Sequence, residues 1–265
     1  MTNILIHASS LPDLFDCPAR WAAKNIEKRF MPSSPSAQLG TAVHAGTAFF
    51  DDMALRGTPV SIDDTVGAVV DALHDESRDV DWGDESPDKL EPVATSLVRL
   101  YCEEIAPTMT YVAVEARCPE LTLDDLGITL TGSTDRIRRD QDGCLGICDI
   151  KTGKTAVGAD GTVKTQGHAA QMAVYELLAG QALDVPMTAP ACIIGLQAAK
   201  TAKGRRCGIG TITGAVDLLL GTDDQPGLLQ MAGKMLKSGT FYGNARSSLC
   251  SEKVCPVYNS CFWRS

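Results

Sequence analysis

The sequence has no run of about eighteen apolar residues, and charges interrupt each hydrophobic stretch, so nothing in it reads as a membrane span. Its start, "MTNILIHASSLPDLFDC", lacks the basic opening and long apolar core of a secretory signal, and the expectation is a cytoplasmic protein. No internal repeat is visible. Basic excess is also missing: the net charge is −9, which on its face disfavours a polyanionic partner. The distribution changes that reading. Residues 51–91 carry thirteen acids against Arg56, Arg78 and Lys89, so the rest of the chain is close to neutral. It holds local basic clusters such as Lys200, Lys203, Arg205 and Arg206.

What is present fits a globular enzyme. The 265 residues, 44% hydrophobic, suffice for one large α/β domain or two small ones. Residues 9–30 read as a helix with Ser9 or Ser10 as cap, broken at Cys17-Pro18. The stretch "MPSSPSAQ" reads as a linker, and "LGTAVHAGTAFFDDMALRG" as a helix. The acidic segment is expected to be helical with loops, followed by another helix at 92–106. Three strands follow: "YVAVEARCPELTL", "ITLTGSTDRIRRD" and "CLGICDIKTG", joined as an antiparallel meander. An amphipathic helix in "QGHAAQMAVYELLAGQAL", strands in "APACIIGLQA" and "CGIGTITGA", and a helical "GLLQMAGKMLKSG" complete the order. The expectation is an α/β domain whose central mixed β-sheet is flanked by helices.

The stretch "CLGICDIKTG" carries the chemistry. Asp149 and Lys151 are two residues apart on an extended chain, so both emerge on one face. The pair is either an ordinary ion pair or a metal ligand beside a charge stabiliser. Likewise Asp135 beside Arg136 reads as a surface ion pair or a ligand, and His44 as a helix histidine or a ligand. Carboxylates suit Mg²⁺ and Mn²⁺, an imidazole leans the set towards Mn²⁺, and a nearby lysine stabilises phosphoryl charge.

Ten cysteines are many for a compartment that disfavours disulfides. Cys144, Cys148 and Cys192 lie in apolar runs as small hydrophobes. Cys250, Cys255 and Cys261, with the distant Cys17, form a four-thiolate set for zinc or an iron–sulfur cluster, or are incidental thiols. Trp21, Phe262 and Trp263 are read as packing around these cysteines, with base stacking as the alternative.

Four motifs occur in order: "GTAVH" (Gly40 to His44), "GSTD" (Gly132 to Asp135), "DIK" (Asp149 to Lys151) and "QMAVY" (Gln171 to Tyr175). Together they resemble the PD-(D/E)XK nuclease superfamily in its RecB-like branch, which includes AddB-type and CRISPR-associated exonucleases. The resemblance implies a restriction-endonuclease-like core and a single domain over 1–265. Within it, 40–200 would be catalytic core, 51–91 an acidic helical insertion, and 1–30 with 245–265 a cysteine-cluster region joining the chain ends. It also implies a divalent-metal-dependent deoxyribonuclease of a bacterial or phage-encoded kind, an exonuclease in recombination, repair or phage DNA metabolism. The alternative is a silent or partner-dependent DNA-docking protein.

By the same resemblance, His44, Asp135, Asp149 and the Ile150 carbonyl would hold Mn²⁺ or Mg²⁺, with Glu115 as a further acid. Lys151 would be the catalytic lysine, Gln171 and Tyr175 would line the DNA path, and a helicase or recombinase would be a partner. A subset of these nucleases carries a [4Fe–4S] cluster, implying Cys17, Cys250, Cys255 and Cys261 as ligands, with zinc as the alternative metal. The chain departs from that pattern between Cys250 and Cys255, where four residues intervene instead of two. Lys200, Lys203, Arg205 and Arg206 become candidate DNA-backbone contacts.

Overall fold

A computed structural model describes residues 3–264. The chain opens with β1 (Ile4–His7), which the sequence reading did not anticipate, and turns into α1 (Leu11–Asp16) and α2 (Pro18–Asn25). Cys17 is extended between the two helices (φ −150°, ψ 92°), and Pro18 starts the second, so the expected break stands. Ser10 does not cap α1 with its side chain; its hydroxyl donates to the His7 carbonyl and accepts from Trp21 Nε1. Next comes α3 (Pro35–Leu55). Ser34 accepts the Ala37 N–H and Pro35 occupies the first helical turn, so half of the expected linker is in fact a helix start.

The acidic stretch forms α4 (Ile62–Leu73), opened by a Ser61–Asp64 capping box, and the beginning of α5 (Pro87–Leu100). A wider turn over Tyr101–Ile105 continues α5. Five strands follow: β2 (Tyr111–Arg117), β3 (Leu121–Leu123), β4 (Ile128–Thr131), β5 (Ser133–Arg139) and β6 (Leu145–Gly153). The remainder is α6 (Ala169–Leu183), β7 (Ala191–Gln197), β8 (Arg206–Ile212), α7 (Ala215–Leu220) and α8 (Leu228–Ser238), with α7 also unanticipated.

The main sheet has the order β2-β5-β6-β7-β8, parallel only between β6 and β7. The expected meander survives in part, as β2-β5-β6: "YVAVEARCPELTL", expected as one strand, is β2 and β3, and β3 belongs to a separate small sheet. The stretch "ITLTGSTDRIRRD", expected as one strand, is two. Its first half, β4, lies between β1 and β3 in that small sheet, and Gly132 is the crossing point. A Cβ on Gly132 would press on the Tyr175 ring and on Ala8, so the crossing needs glycine.

Both faces of the main sheet are covered. Ile137, Ile147 and Ile193 pack towards α6, while Cys148, Ile150, Cys192, Ile194 and Leu196 pack towards α3, α4 and α5. This explains why β7 reads as a continuous apolar run with every residue buried. Helix α6 departs from expectation: residues 170–175 are all buried, so it is a central helix and not an amphipathic one. Of the three aromatics expected around the cysteines, Trp263 lines their cavity, Trp21 is buried in the core against Phe241, and Phe262 is 83% exposed.

Gly46 marks the closest approach of α3 and α4, where a Cβ would collide with the Val69 side chain. Gly46→Ala should therefore destabilise the fold by roughly 1–3 kcal/mol despite the better helix propensity of alanine. Urea unfolding checks this, and pairing the change with Val69→Ala should restore part of the loss.

Candidate metal centre and catalytic residues

Three neighbouring strands carry an acid at the same level of the sheet. The pairs Val114↔Arg136 and Ala116↔Thr134 set Glu115 opposite Asp135, and the pair Arg136↔Cys148 sets Asp149 one step beyond on β6. Asp149 reaches α6 through Gln171, whereas Asp135 faces His44 of α3 and Glu115 meets Arg136. Like charges opposite one another on a sheet repel, so the row needs a positive partner. Glu115 adds backbone strain: its φ of +48° lies in the left-handed region, at a cost of about 1 kcal/mol or more for a non-glycine residue.

The β5–β6 ladder stops at Arg136↔Cys148, which releases the backbone of Ile150. Two site residues take it over. The Ile150 N–H donates to Asp135 Oδ2 at 2.7 Å, and His44 Nε2–H donates to the Ile150 carbonyl at 2.6 Å. With Nε2 donating, His44 Nδ1 faces Asp135 Oδ2 at 3.4 Å. The Nδ1 lone pair and the carboxylate are both donors that one divalent ion can share. Donor atoms of His44, Glu115 and Asp135 all lie within 4.8 Å of one another, which suits a single divalent ion.

Asp149 stands outside that set. Its Oδ2 is 2.7 Å from Lys151 Nζ, and its Oδ1 accepts from Gln171 Nε2 at 3.2 Å. Gln171 also donates to Tyr175 Oη at 3.1 Å, one helical turn on. Burial, then the charge of Asp135, pushes the Asp149 carboxyl up to about 6, against the opposing pull of Lys151. Burial and Asp135 likewise raise Glu115, and burial raises the Tyr175 phenol. The structure thus brings together His44, Glu115, Asp135, Asp149, Lys151, Gln171 and Tyr175. The Ile150 carbonyl sits among them as an acceptor from His44.

Residues beyond the expected set also converge. His168, three positions before Gln171, starts α6; burial and the nearby Lys151 and Lys164 lower it to about 4, keeping its imidazole neutral. Arg136, read as half of a surface pair, is fully buried and binds Asp51. Asp51 was counted with the acidic segment, yet it follows His44 by two helical turns and shares its helix face.

Apart from this group, Cys17, Cys250, Cys255 and Cys261 all line one small cavity, together with Arg20 and Trp263. The Asn244 N–H points at Cys17 Sγ at 3.4 Å. Of the basic run, Arg205 is committed to the carbonyls of Ala199, Pro92 and Lys200, and Arg206 lies against the Val157 carbonyl. Lys203 stands in a short turn, and Lys200 lines a cavity of about 250 Å³ with Lys154, Leu39, Leu90 and Val93.

The family model described as the PD-(D/E)XK nuclease superfamily matches residues 7–262. No curated protein sequence matches the chain. A solved structure, "Crystal structure of SSO0001", aligns with 100% of this chain and 89% of that one at 12% identity and a TM-score of 0.45.

The raised Asp149 gives a signed pH prediction. Between 3.8 and about 6 the folded chain holds a proton that the unfolded chain has released. Without added metal, stability therefore falls as pH rises through that window, and the penalty is complete above it. Asp149→Asn removes the charge, so at pH 8 it should raise metal-free stability by an amount on the order of 1–3 kcal/mol, with no such gain at pH 4. Thermal unfolding at the two pH values checks this. Added Mn²⁺ should stabilise the wild type more than the variant.

Proposed function

We propose that this chain, which belongs to the PD-(D/E)XK nuclease superfamily, is a divalent-metal-dependent deoxyribonuclease of the RecB-like kind, acting from DNA ends in recombination, repair or phage DNA metabolism. Membership alone suggests a metal-dependent nuclease and makes DNA the expected substrate. The observation that carries the finer reading is the row Glu115–Asp135–Asp149 closed by His44 on one side and Lys151 on the other. Among the described residues no helix is long and apolar enough to cross a membrane.

The donor set fits Mn²⁺ or Mg²⁺: three carboxylates and a carbonyl supply hard oxygen ligands, and the imidazole favours Mn²⁺. His44, Glu115 and Asp135, whose donor atoms converge, would hold it, and Asp149 and the Ile150 carbonyl would join as the resemblance implies once Asp149 turns an oxygen from Lys151 or Gln171 to the ion. Such an ion polarises the phosphoryl oxygen and makes water nucleophilic near neutral pH. The chain's own residues do the rest. Lys151, anchored on Asp149, offsets the negative charge that develops at phosphorus. Gln171 orients Asp149 and Tyr175 together, so the face of α6 that bounds the site is rigid. Nothing lies within 4 Å of where a Cβ on Gly40 would stand, one turn before His44, and this leaves room for a strand to approach. Lys154 and Lys200, just past the carboxyl ends of β6 and β7, line a cavity with Glu85 at a place where α/β sheets bind ligands.

The four-cysteine cavity supports a structural [4Fe–4S] cluster joining the chain ends. Four thiolates around one cavity can hold either a [4Fe–4S] cluster or tetrahedral zinc, and the cluster is preferred here on the family resemblance alone. Cys250 lines the cavity despite its unusual spacing from Cys255.

Incubating anaerobically purified protein with end-labelled linear and circular DNA and Mn²⁺ tests the reading. Linear DNA should be degraded and circles spared, and Lys151→Ala or Asp135→Ala should lower the rate on the order of a hundredfold or more. Undiminished cleavage by either variant would contradict the assignment. Cys261→Ala should lose iron, brown colour and solubility, while a colourless wild type containing zinc would replace the cluster with the smaller metal.

A further inference from the structure

Directly behind the acidic row, on the opposite face of the sheet, lies a second charged group that the reaction does not use. Arg136 is fully buried, and its Nε donates to Asp51 Oδ2 at 2.7 Å. Its Nη1 donates to the Asp135 carbonyl at 2.6 Å and to Glu115 Oε1 at 3.3 Å. Tyr101 Oη donates to the same Asp51 oxygen at 2.5 Å and meets Tyr111 Oη at 2.9 Å. The Arg136 guanidinium also sits over the Tyr111 ring, 5.8 Å from its centre.

A buried ion pair contributes little net stability, because desolvation of both charges offsets their attraction. Its position explains it better. Asp51 lies on α3 two turns beyond His44, and Arg136 follows Asp135 on β5, so the pair joins the two elements that carry these ligands. The fork of Arg136 then continues to Glu115, whose left-handed backbone needs a fixed partner. We propose that Arg136 is a positioning residue for the metal centre, with Asp51 as its anchor: together they set the separation of His44, Asp135 and Glu115 and so the affinity for the divalent ion. This rests on the reading of that site as a metal centre.

The charge-neutral double variant Asp51→Leu/Arg136→Met removes the clamp without changing net charge and replaces a buried pair by apolar groups of similar bulk, which folds generally accept. Direct Mn²⁺ binding, read from the electron paramagnetic resonance of the free ion, should weaken by about ten- to a hundredfold. Asp51→Glu, which keeps the pair, should recover part of that affinity. A folded double variant that binds Mn²⁺ within about twofold of the wild type would overturn the proposal. If the double variant fails to fold, Arg136→Lys decides. A lysine keeps the charge but cannot fork to Asp51 and Glu115 at once. It should weaken Mn²⁺ binding several-fold, and unchanged binding would overturn the proposal. Wild-type Mn²⁺ binding that Asp135→Asn abolishes, without DNA cleavage, would end the nuclease reading and leave this one standing. Wild-type cleavage with unaltered metal affinity in the clamp variants would do the reverse.

Discussion

Three carboxylates held at one level of a sheet, on adjacent strands, repel each other, and much of the surrounding structure answers that repulsion. Lys151 compensates Asp149 from the same strand, and His44 reaches across from α3 to face Asp135. Arg136 meets Glu115 from behind. Even so, burial, then the charge of Asp135, pushes the Asp149 carboxyl up to about 6. Such a site stores unfavourable energy until a cation enters, and a fold with no use for a cation would gain stability by losing one of the acids.

The local backbone serves the same end. Strands β5 and β6 part where the acids begin, and the freed N–H and carbonyl of Ile150 are taken by Asp135 and His44. One break in the ladder therefore both satisfies buried polar groups and fixes two site residues. Around this centre, helices cover both faces of the sheet, so Asp149 is buried where charge acts strongly, while Glu115 at the margin stays half exposed. The cysteine cavity brings residue 17 beside residues 250–261, closing the chain on itself.

Much of this was legible in the sequence, for physical reasons. The alternation that puts Asp149 and Lys151 on one face is a property of any strand, and the four-residue step from Gln171 to Tyr175 a property of any helix. The antiparallel run β2-β5-β6 followed from alternation and turns, whereas the places of β7 and β8 in the sheet did not. What escaped depended on contacts between distant segments. A four-residue strand such as β1 has too few residues to show a period, and the division of β4 from β5 at Gly132 depends on the Tyr175 ring. Helix α6 looked amphipathic because Gln171, Tyr175 and Glu176 are polar, yet the first two face the buried site. Arg136 and Asp51 were read as surface charges because sequence does not tell a buried ion pair from an exposed one. The spacing of Asp51 from His44, seven residues on one helix face, was the available signal.

The central claim is that His44, Glu115, Asp135 and Asp149 form one divalent-ion site. A crystal grown with Mn²⁺ and measured for its anomalous scattering tests this most directly. The account predicts a Mn²⁺ peak among those four side chains. A peak instead at the exposed group His74, Asp88 and Glu91, whose donor atoms also lie within 4.8 Å of one another, with none among the four, would contradict it.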